Sequence, residues 1–457
     1  FNGSTIFISQ QDDICNFNLN PNIDFHININ DQLGSILLVN GEENESYISE
    51  IQHVRRRETI AMTPANTLAA LKHLIEKTSI KTDNNVETNK DSVLNSIASI
   101  TGSNTKAVVA SSGLSMQYAI VMGLIHDALE NHKGKDIKII VPPNCYGGTN
   151  DQARRVAACI KNVEVIDLPV DRENDMTQSI DVILDEIAVQ DAVPFIIAEI
   201  PTNPRVEVPD LKQLKTVLEK KRKTTLSNYA INPVFVLDQT FCPNTPFLDS
   251  VEIFSKVKAI SYVSGSKFPS GGQCTAGYCV GNEKTNSLMV KIDKHLSICD
   301  NQATDLQYAI LAKQLPSMNQ RIFDAYQNTR DFVDFITKNL PSAKINFVSK
   351  ELANQGFTPS VFSLDLPTKG NTAKEKENYK RALNLKLINL MIKKIPDESK
   401  FCVSYGQLKG SYWTVPATST QGTTKEGDKD YIVRISISPK INLTLHKEVF
   451  LEFTANI

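Results

Sequence analysis

The sequence predicts an α/β fold: a large, mainly parallel sheet followed by a smaller α+β C-terminal unit. Three observations carry that prediction. From about residue 105, short β-branched runs alternate with longer stretches of helical apolar spacing. Those runs are apolar at nearly every position, as strands covered on both faces are. Past about residue 302 the alternation gives way to long helical stretches set among isolated strand-like runs.

The elements follow in order. Asn-rich stretches such as NFNLNPNIDFHININDQ read as loops or an extended arm, and TPANTLAALKHLIEK has the Thr-Pro start and apolar spacing of a helix. The strand candidates are AVVA (107–110), IKIIVPP (137–143), VEVIDLP (163–169), PFIIAEI (194–200), VFVLD (234–238) and AISYV (259–263). Between them lie SMQYAIVMGLIHDALENH, NDQARRVAACI, MTQSIDVILDEIAV and PDLKQLKTVLEKKRK, all helix-like. Long helices interrupted at Pro316 then lead to TPSVFSLDL and YIVRISIS, two strands around the helical KEKENYKRALNLKLINLMIKKI. This organisation suggests an N-terminal arm and helical segment over 1–104, a large α/β domain over 105–302 and an α+β domain over 303–457.

At 457 residues the chain exceeds one ordinary core, and its net charge of −2 argues against nucleic acid or an anionic membrane as partner. No apolar run approaches the roughly 20 residues of a spanning helix. The sequence begins at Phe1 rather than Met, which leaves room for residues upstream, and no stretch of it resembles a cleaved leader. The eight cysteines form no C-x-x-C and the seven histidines are scattered, so reduced thiols in a cytoplasmic protein without a metal site are expected.

In a parallel sheet, ligands bind beyond the carboxyl ends of the strands. After AVVA, Ser112, Gly113 and Leu114 open a helix, where unpaired amides and the helix dipole favour an anion. After IKIIVPPN, Tyr146 precedes Gly147 and Gly148, an aromatic beside backbone that a flat ligand can approach. After PFIIAEI, Asn203 lies between two prolines. Asp238 ends a run that should be buried, and a buried carboxylate demands a cation or a ligand. After AISYV comes SGSKFPSGG, which sets Lys267 among the hydroxyls of Ser264 and Ser266. A lysine in a desolvated or cationic setting loses its proton more readily and becomes a nucleophile. Each feature alone fits ordinary turn chemistry. Together they supply what pyridoxal 5'-phosphate (PLP) requires: an amine for its aldehyde, an acid for its ring nitrogen, a ring cover and a phosphate cup.

These residues, in this order, resemble the Cys/Met-metabolism family of PLP enzymes, which includes cystathionine γ-synthase, cystathionine lyases and methionine γ-lyase. SSGLSMQ is similar to the family's A-S-G-M-A-A turn, CYGGT to Y-G-G-T, EIPTNPRVEVPDL to E-S-P-T-N-P, DQTFCPNTP to D-N-T-F-A-T-P and SGSKF to S-A-T-K-Y. Downstream, VSYGQL resembles V-S-L-G-G, VPATSTQG resembles H-P-A-S-M-T-H and IVRISIS resembles L-I-R-L-S-V-G. The match runs from about 105 to 455.

The resemblance implies the PLP fold-type I architecture and a homo-oligomer, a tetramer built from dimers that share active sites. It implies that Lys267 carries the cofactor as a Schiff base, Asp238 pairs with its ring nitrogen, Tyr146 stacks on the ring and Asn203 bonds its phenolic oxygen. Ser112, Gly113, Leu114, Thr240, Ser264 and Ser266 would belong to the cofactor site, mostly around its phosphate. Arg434 would grip the α-carboxylate of a small amino-acid substrate, and Ser404 would help place Lys267. The implied reaction is β/γ-elimination or replacement on cysteine- or homoserine-type amino acids. A binding scaffold with altered catalysis, or another pathway-specific PLP reaction, is the alternative. The chain departs from the family where Y-x-R is usual, reading HVRRRETIAMTPANT instead, and carries Gly148 where methionine γ-lyases typically have cysteine.

Overall fold

The structure is a computed structural model that describes residues 4–10, 20, 22–30, 34–48, 64–77, 85–170, 175–248, 254–402, 408–416 and 431–457. The described residues form three sheets. In the first, β1 (Ile6–Gln10) runs parallel to β2 (Phe25–Asn30), which pairs antiparallel with β3 (Gly34–Val39). The Asn-rich stretch expected as loop or arm thus contains a strand at its end. Phe25, Ile27 and Ile29 supply the period-two apolar residues that sheet pairing needs, which outweighs the poor strand propensity of the asparagines. Helices Pro64–Glu76 and Val86–Thr101 lead on to the main body.

The large sheet has seven strands, β4 (Val108–Ala110), β5 (Ile137–Val141), β6 (Val163–Asp167), β7 (Val193–Glu199), β8 (Val234–Asp238), β9 (Lys258–Ser264) and β10 (Gly277–Gly281). Their spatial order is β4-β10-β9-β8-β7-β5-β6. The five strands from β9 to β6 pair in parallel. β10 is antiparallel to both its neighbours, β4 and β9. Of the runs read as doubly covered strands, β5, β7 and β8 are buried along their whole length, whereas β6, at the sheet edge, is not: Val163, Val165 and Ile166 are half-buried and Glu164 and Asp167 exposed. One face packs on helices Gly113–Asn131, Gly147–Cys159 and Asn286–Ile298, through residues such as Met116, Ile120, Ala153 and Ile292. The other packs on Met176–Val189 and Leu211–Glu219, through Ile180, Leu184 and Leu214.

Helix Asp305–Gln314 carries a Thr304 capping box, and a short 3-10 turn at Pro316 joins it to the 22-residue helix Met318–Asn339. That long helix reaches the third sheet, which contains β11 (Lys344–Asn346), β12 (Val361–Asp365), β13 (Ser399–Phe401), β14 (Gly410–Pro416) and β15 (Tyr431–Ser436). Its order is β11-β12-β15-β14-β13. Phe362, Leu364, Tyr412, Val433 and Ile435 point to one face and pack against helices Ala373–Lys394 and Leu443–Thr454. Period two leaves Ser363, Trp413 and Arg434 on the opposite face, the one turned toward the large sheet.

Candidate active site

Parallel pairing brings the carboxyl ends of β7, β8 and β9 to one edge. The register sets Glu199, Asp238 and Tyr262 in a row across the three strands. Asp238 is buried, and its Oδ1 accepts from the Thr240 amide at 2.9 Å. Burial pushes its carboxyl up, while the Thr240 side chain and amide, the Tyr262 hydroxyl and the Lys267 charge pull it back. The Tyr262 hydroxyl also lies 3.3 Å from Gln117 Oε1, to which Thr149 donates at 2.8 Å. Asp238 therefore sits at the end of a buried hydrogen-bond chain anchored on two helices.

Glu199 was not among the residues singled out from the sequence, yet it lies at the centre. Its Oε1 accepts from the Tyr146 amide at 2.6 Å, and its buried Oε2 has no hydrogen-bond partner among the described residues. Burial first, and the neighbouring Asp238 charge second, push its carboxyl well above the usual range. Two adjacent buried carboxyls do not both ionise.

Lys267 follows β9 in a turn, and its Nζ donates to Ser266 Oγ at 3.1 Å. Loss of hydration and the Arg434 charge lower its amine to about 8, against the opposing pull of Asp238. Arg434, on β15, donates from Nη1 to Asn203 Oδ1 at 3.0 Å. Asn203 and Arg434 thus meet across the space between the two sheets, both buried.

Tyr146 caps the Gly147–Cys159 helix and remains 44% exposed, so its ring has an open face. Beneath it, a Cβ on Gly148 would stand 2.6 Å from Tyr146 Cε1 and 2.9 Å from Leu114 Cδ2. A side chain there would displace the ring. Ser112 caps the Gly113–Asn131 helix, accepting from the Ser115 amide at 3.0 Å. A Cβ on Gly113 would meet Ser264 Cβ at 2.9 Å, so the two turns touch through a bare backbone. Ser264 Oγ lies 2.9 Å from Ser266 Oγ, and the Ser264 amide donates to Thr240 Oγ1 at 2.9 Å. Gly277, at the start of β10, pairs with both Ala110 and Ser264. A Cβ there would run into the Ser112 carbonyl, so this glycine lets the turns meet. Glycines are common in turns, and nothing in the local sequence marked Gly277.

The structure thus draws Ser112, Gly113, Leu114, Tyr146, Asn203, Asp238, Thr240, Ser264, Ser266, Lys267 and Arg434 into one region. Ser404 and the Arg55–Arg57 run lie outside the described residues. The donor set fits PLP on structural grounds. A helix start bared by Gly113 and rimmed by serine hydroxyls suits a phosphate. A buried carboxyl hydrogen-bonded only by Thr240 and Tyr262 among the described residues leaves room for a ring N–H. An amine titrating near neutrality suits an aldehyde.

Comparisons with known proteins agree with this geometry. The cystathionine γ-synthase of Xanthomonas oryzae pv. oryzae, solved with cystathionine, has a similar fold: TM-score 0.58, 16% identity, 82% of this chain and 89% of that one covered. Yeast cystathionine γ-lyase gives TM-score 0.60 at 16% identity, with 80% and 86% covered. CalE6, a methionine γ-lyase from Micromonospora echinospora, gives 0.57 at 15%, with 80% and 86% covered. At such identities the likeness speaks for the fold alone. No curated protein matches the sequence. Residues 81–380 match the Cys/Met metabolism PLP-dependent enzyme family, and the chain belongs to that family.

Proposed function

We propose that the protein catalyses PLP-dependent β/γ-elimination or replacement on cysteine- or homoserine-type amino acids, in the manner of cystathionine γ-synthases and lyases. The observation that carries this reading is the Lys267 amine, lowered to about 8 and set between Asp238 and the Arg434–Asn203 pair. Bound PLP would supply an electron sink for the charge that develops at the substrate Cα. The chain's own groups do the rest. Arg434, steadied by Asn203, holds the substrate α-carboxylate and fixes the orientation of Cα. Lys267 holds the cofactor and, once released, takes the Cα proton, for which an amine near neutrality is well matched. Asp238 keeps a proton on the cofactor's ring nitrogen, while neutral Glu199 adds no second charge beside it. Tyr146 covers the ring and excludes water. Ser112, Gly113, Leu114, Ser264, Ser266 and Thr240 cradle the phosphate.

Gly148 stands where methionine γ-lyases typically carry cysteine, and a side chain there would displace the Tyr146 ring. On this reading residues 105–302 form the cofactor domain and 303–457 the substrate-closing domain. The protein works in the cytoplasm as a dimer-based tetramer. Among the described residues no helix is long and apolar enough to cross a membrane.

Borohydride reduction of the PLP-loaded protein and peptide mapping test the assignment. The expected result is one adduct, on Lys267, absent in Lys267→Ala together with a loss of turnover of about 10⁴-fold. Because only the neutral amine attacks an aldehyde, cofactor capture should quicken as pH rises and level off above about 8. An adduct on another lysine would overturn the assignment.

A further inference from the structure

We propose that Trp413 is the wall of a side-chain subsite beside Arg434, and that this subsite takes amino acids with an apolar or thioether side chain. The inference rests on the functional reading above. Trp413 on β14 is directly opposite Arg434 on β15, and Val415 is opposite Ile432. Opposite residues of an antiparallel pair have Cβ atoms about 4.5–5.5 Å apart and project to the same face. The face is fixed by two contacts: Arg434 reaches Asn203, and Ser363, opposite Arg434 on its other flank, donates to the Pro204 carbonyl. Trp413 therefore projects from the face that Arg434 and Ser363 share, one strand closer to the sheet edge.

The wall has backing. Val415 and Ile432 are fully buried and Trp413 packs against them. Phe401 of β13 lies against the indole with ring centroids 4.3 Å apart and planes at 49°. Trp413 is only partly buried and Phe401 is 50% exposed, so the aromatic pair keeps an open side. A substrate whose α-carboxylate is paired with Arg434 presents its other substituents next to this surface. Each methylene laid on such a surface raises affinity about fourfold, and a thioether sulfur gains further from an aromatic edge. A distal carboxylate placed there would lose hydration without compensation. The competing anchor for such a carboxylate is Lys400, which pairs with Ser411 in the ladder and whose charge is felt at Lys267.

Trp413 is the chain's single tryptophan, so its emission reports on this wall alone. The PLP-loaded protein, its Lys267 adduct checked by borohydride mapping, is titrated with glycine, norleucine and 2-aminoadipate. Affinities are read from the cofactor's absorbance and, in the wild type, from Trp413 emission. Norleucine should bind at least about tenfold more tightly than glycine or 2-aminoadipate and perturb the emission. In Trp413→Ala that advantage should shrink to about twofold with glycine affinity kept within about twofold, and Trp413→Phe should restore most of it. Equal losses for glycine and norleucine in both variants would mean that the ring only props Arg434, and would overturn the subsite. A preference for 2-aminoadipate that vanishes in Lys400→Met would overturn it in favour of a cationic anchor. A wild-type protein without a Lys267 adduct would overturn the functional reading and the subsite together, whereas an adduct with either of those binding patterns overturns the subsite alone.

Discussion

Under the C-terminal sheet, Lys380 meets Asp365 at 2.7 Å and the Tyr412 hydroxyl meets His446 Nδ1 at 2.5 Å. At the carboxyl edge of the large sheet, Asp238 and Glu199 stand side by side instead, with Glu199 Oε2 unpartnered among the described residues. Both regions bury polar groups at a cost in hydration. In the first each group has a complementary partner close at hand, although His446 Nε2 has none among the described residues, and such pairs hold a fold together. In the second the groups converge without cancelling one another. Burial of polar side chains is common to both; the direction in which they remain incomplete separates scaffold from site.

The comparison can be broken by substitution. Asp238→Asn should retain folding and bound cofactor but slow Cα proton removal on the order of 10²-fold, read by deuterium exchange at the substrate Cα. An unchanged exchange rate would place Asp238 with the structural groups. Tyr412→Phe should do the reverse, lowering unfolding free energy by about 1–2 kcal/mol in urea titrations while cofactor affinity stays the same. A loss of cofactor binding without loss of stability would erase the distinction.

Glu199→Gln sharpens it with the smallest effect. If Glu199 is protonated in the native state, the amide replaces it nearly isosterically and stability changes by less than about 0.5 kcal/mol at pH 5. The native carboxyl binds its proton more tightly than the unfolded one, so wild-type stability falls as pH rises above the unfolded carboxyl's range. Glu199→Gln has no such dependence, and its relative stability should therefore grow from pH 5 to 8. The opposite trend in paired urea titrations would mean that Glu199 is ionised and held by Arg434.

The large sheet was legible because doubly covered strands write themselves as unbroken apolar runs, as in VFVLD and PFIIAEI. β10 was missed: GYCVG is short, bounded by glycines, and carries no alternation. β2 was hidden by asparagines that strands usually avoid. Within the site, Asp238 stood out as a carboxylate at the end of a buried run. Glu199 ends a buried run in the same way, and the argument that selected one applies to the other. What no local pattern could reveal is that register puts the two next to each other. Trp413 was equally silent, since its significance comes from facing Arg434 across a ladder whose strands are far apart in sequence.

The contact of the Gly113 turn with Ser264, made across Gly277, has a consequence for how the molecule comes together. Those three backbones lie just after β4, at the end of β9 and at the start of β10, strands that neighbour one another in space but are joined only after most of the large sheet has been synthesised. A cradle made from such distant pieces does not exist in any partly assembled chain. A phosphate-bearing ligand that fits it binds the finished sheet and nothing earlier, and by mass action draws the population toward that state. The cofactor's arrival then acts as a latch on topology as much as a supply of chemistry.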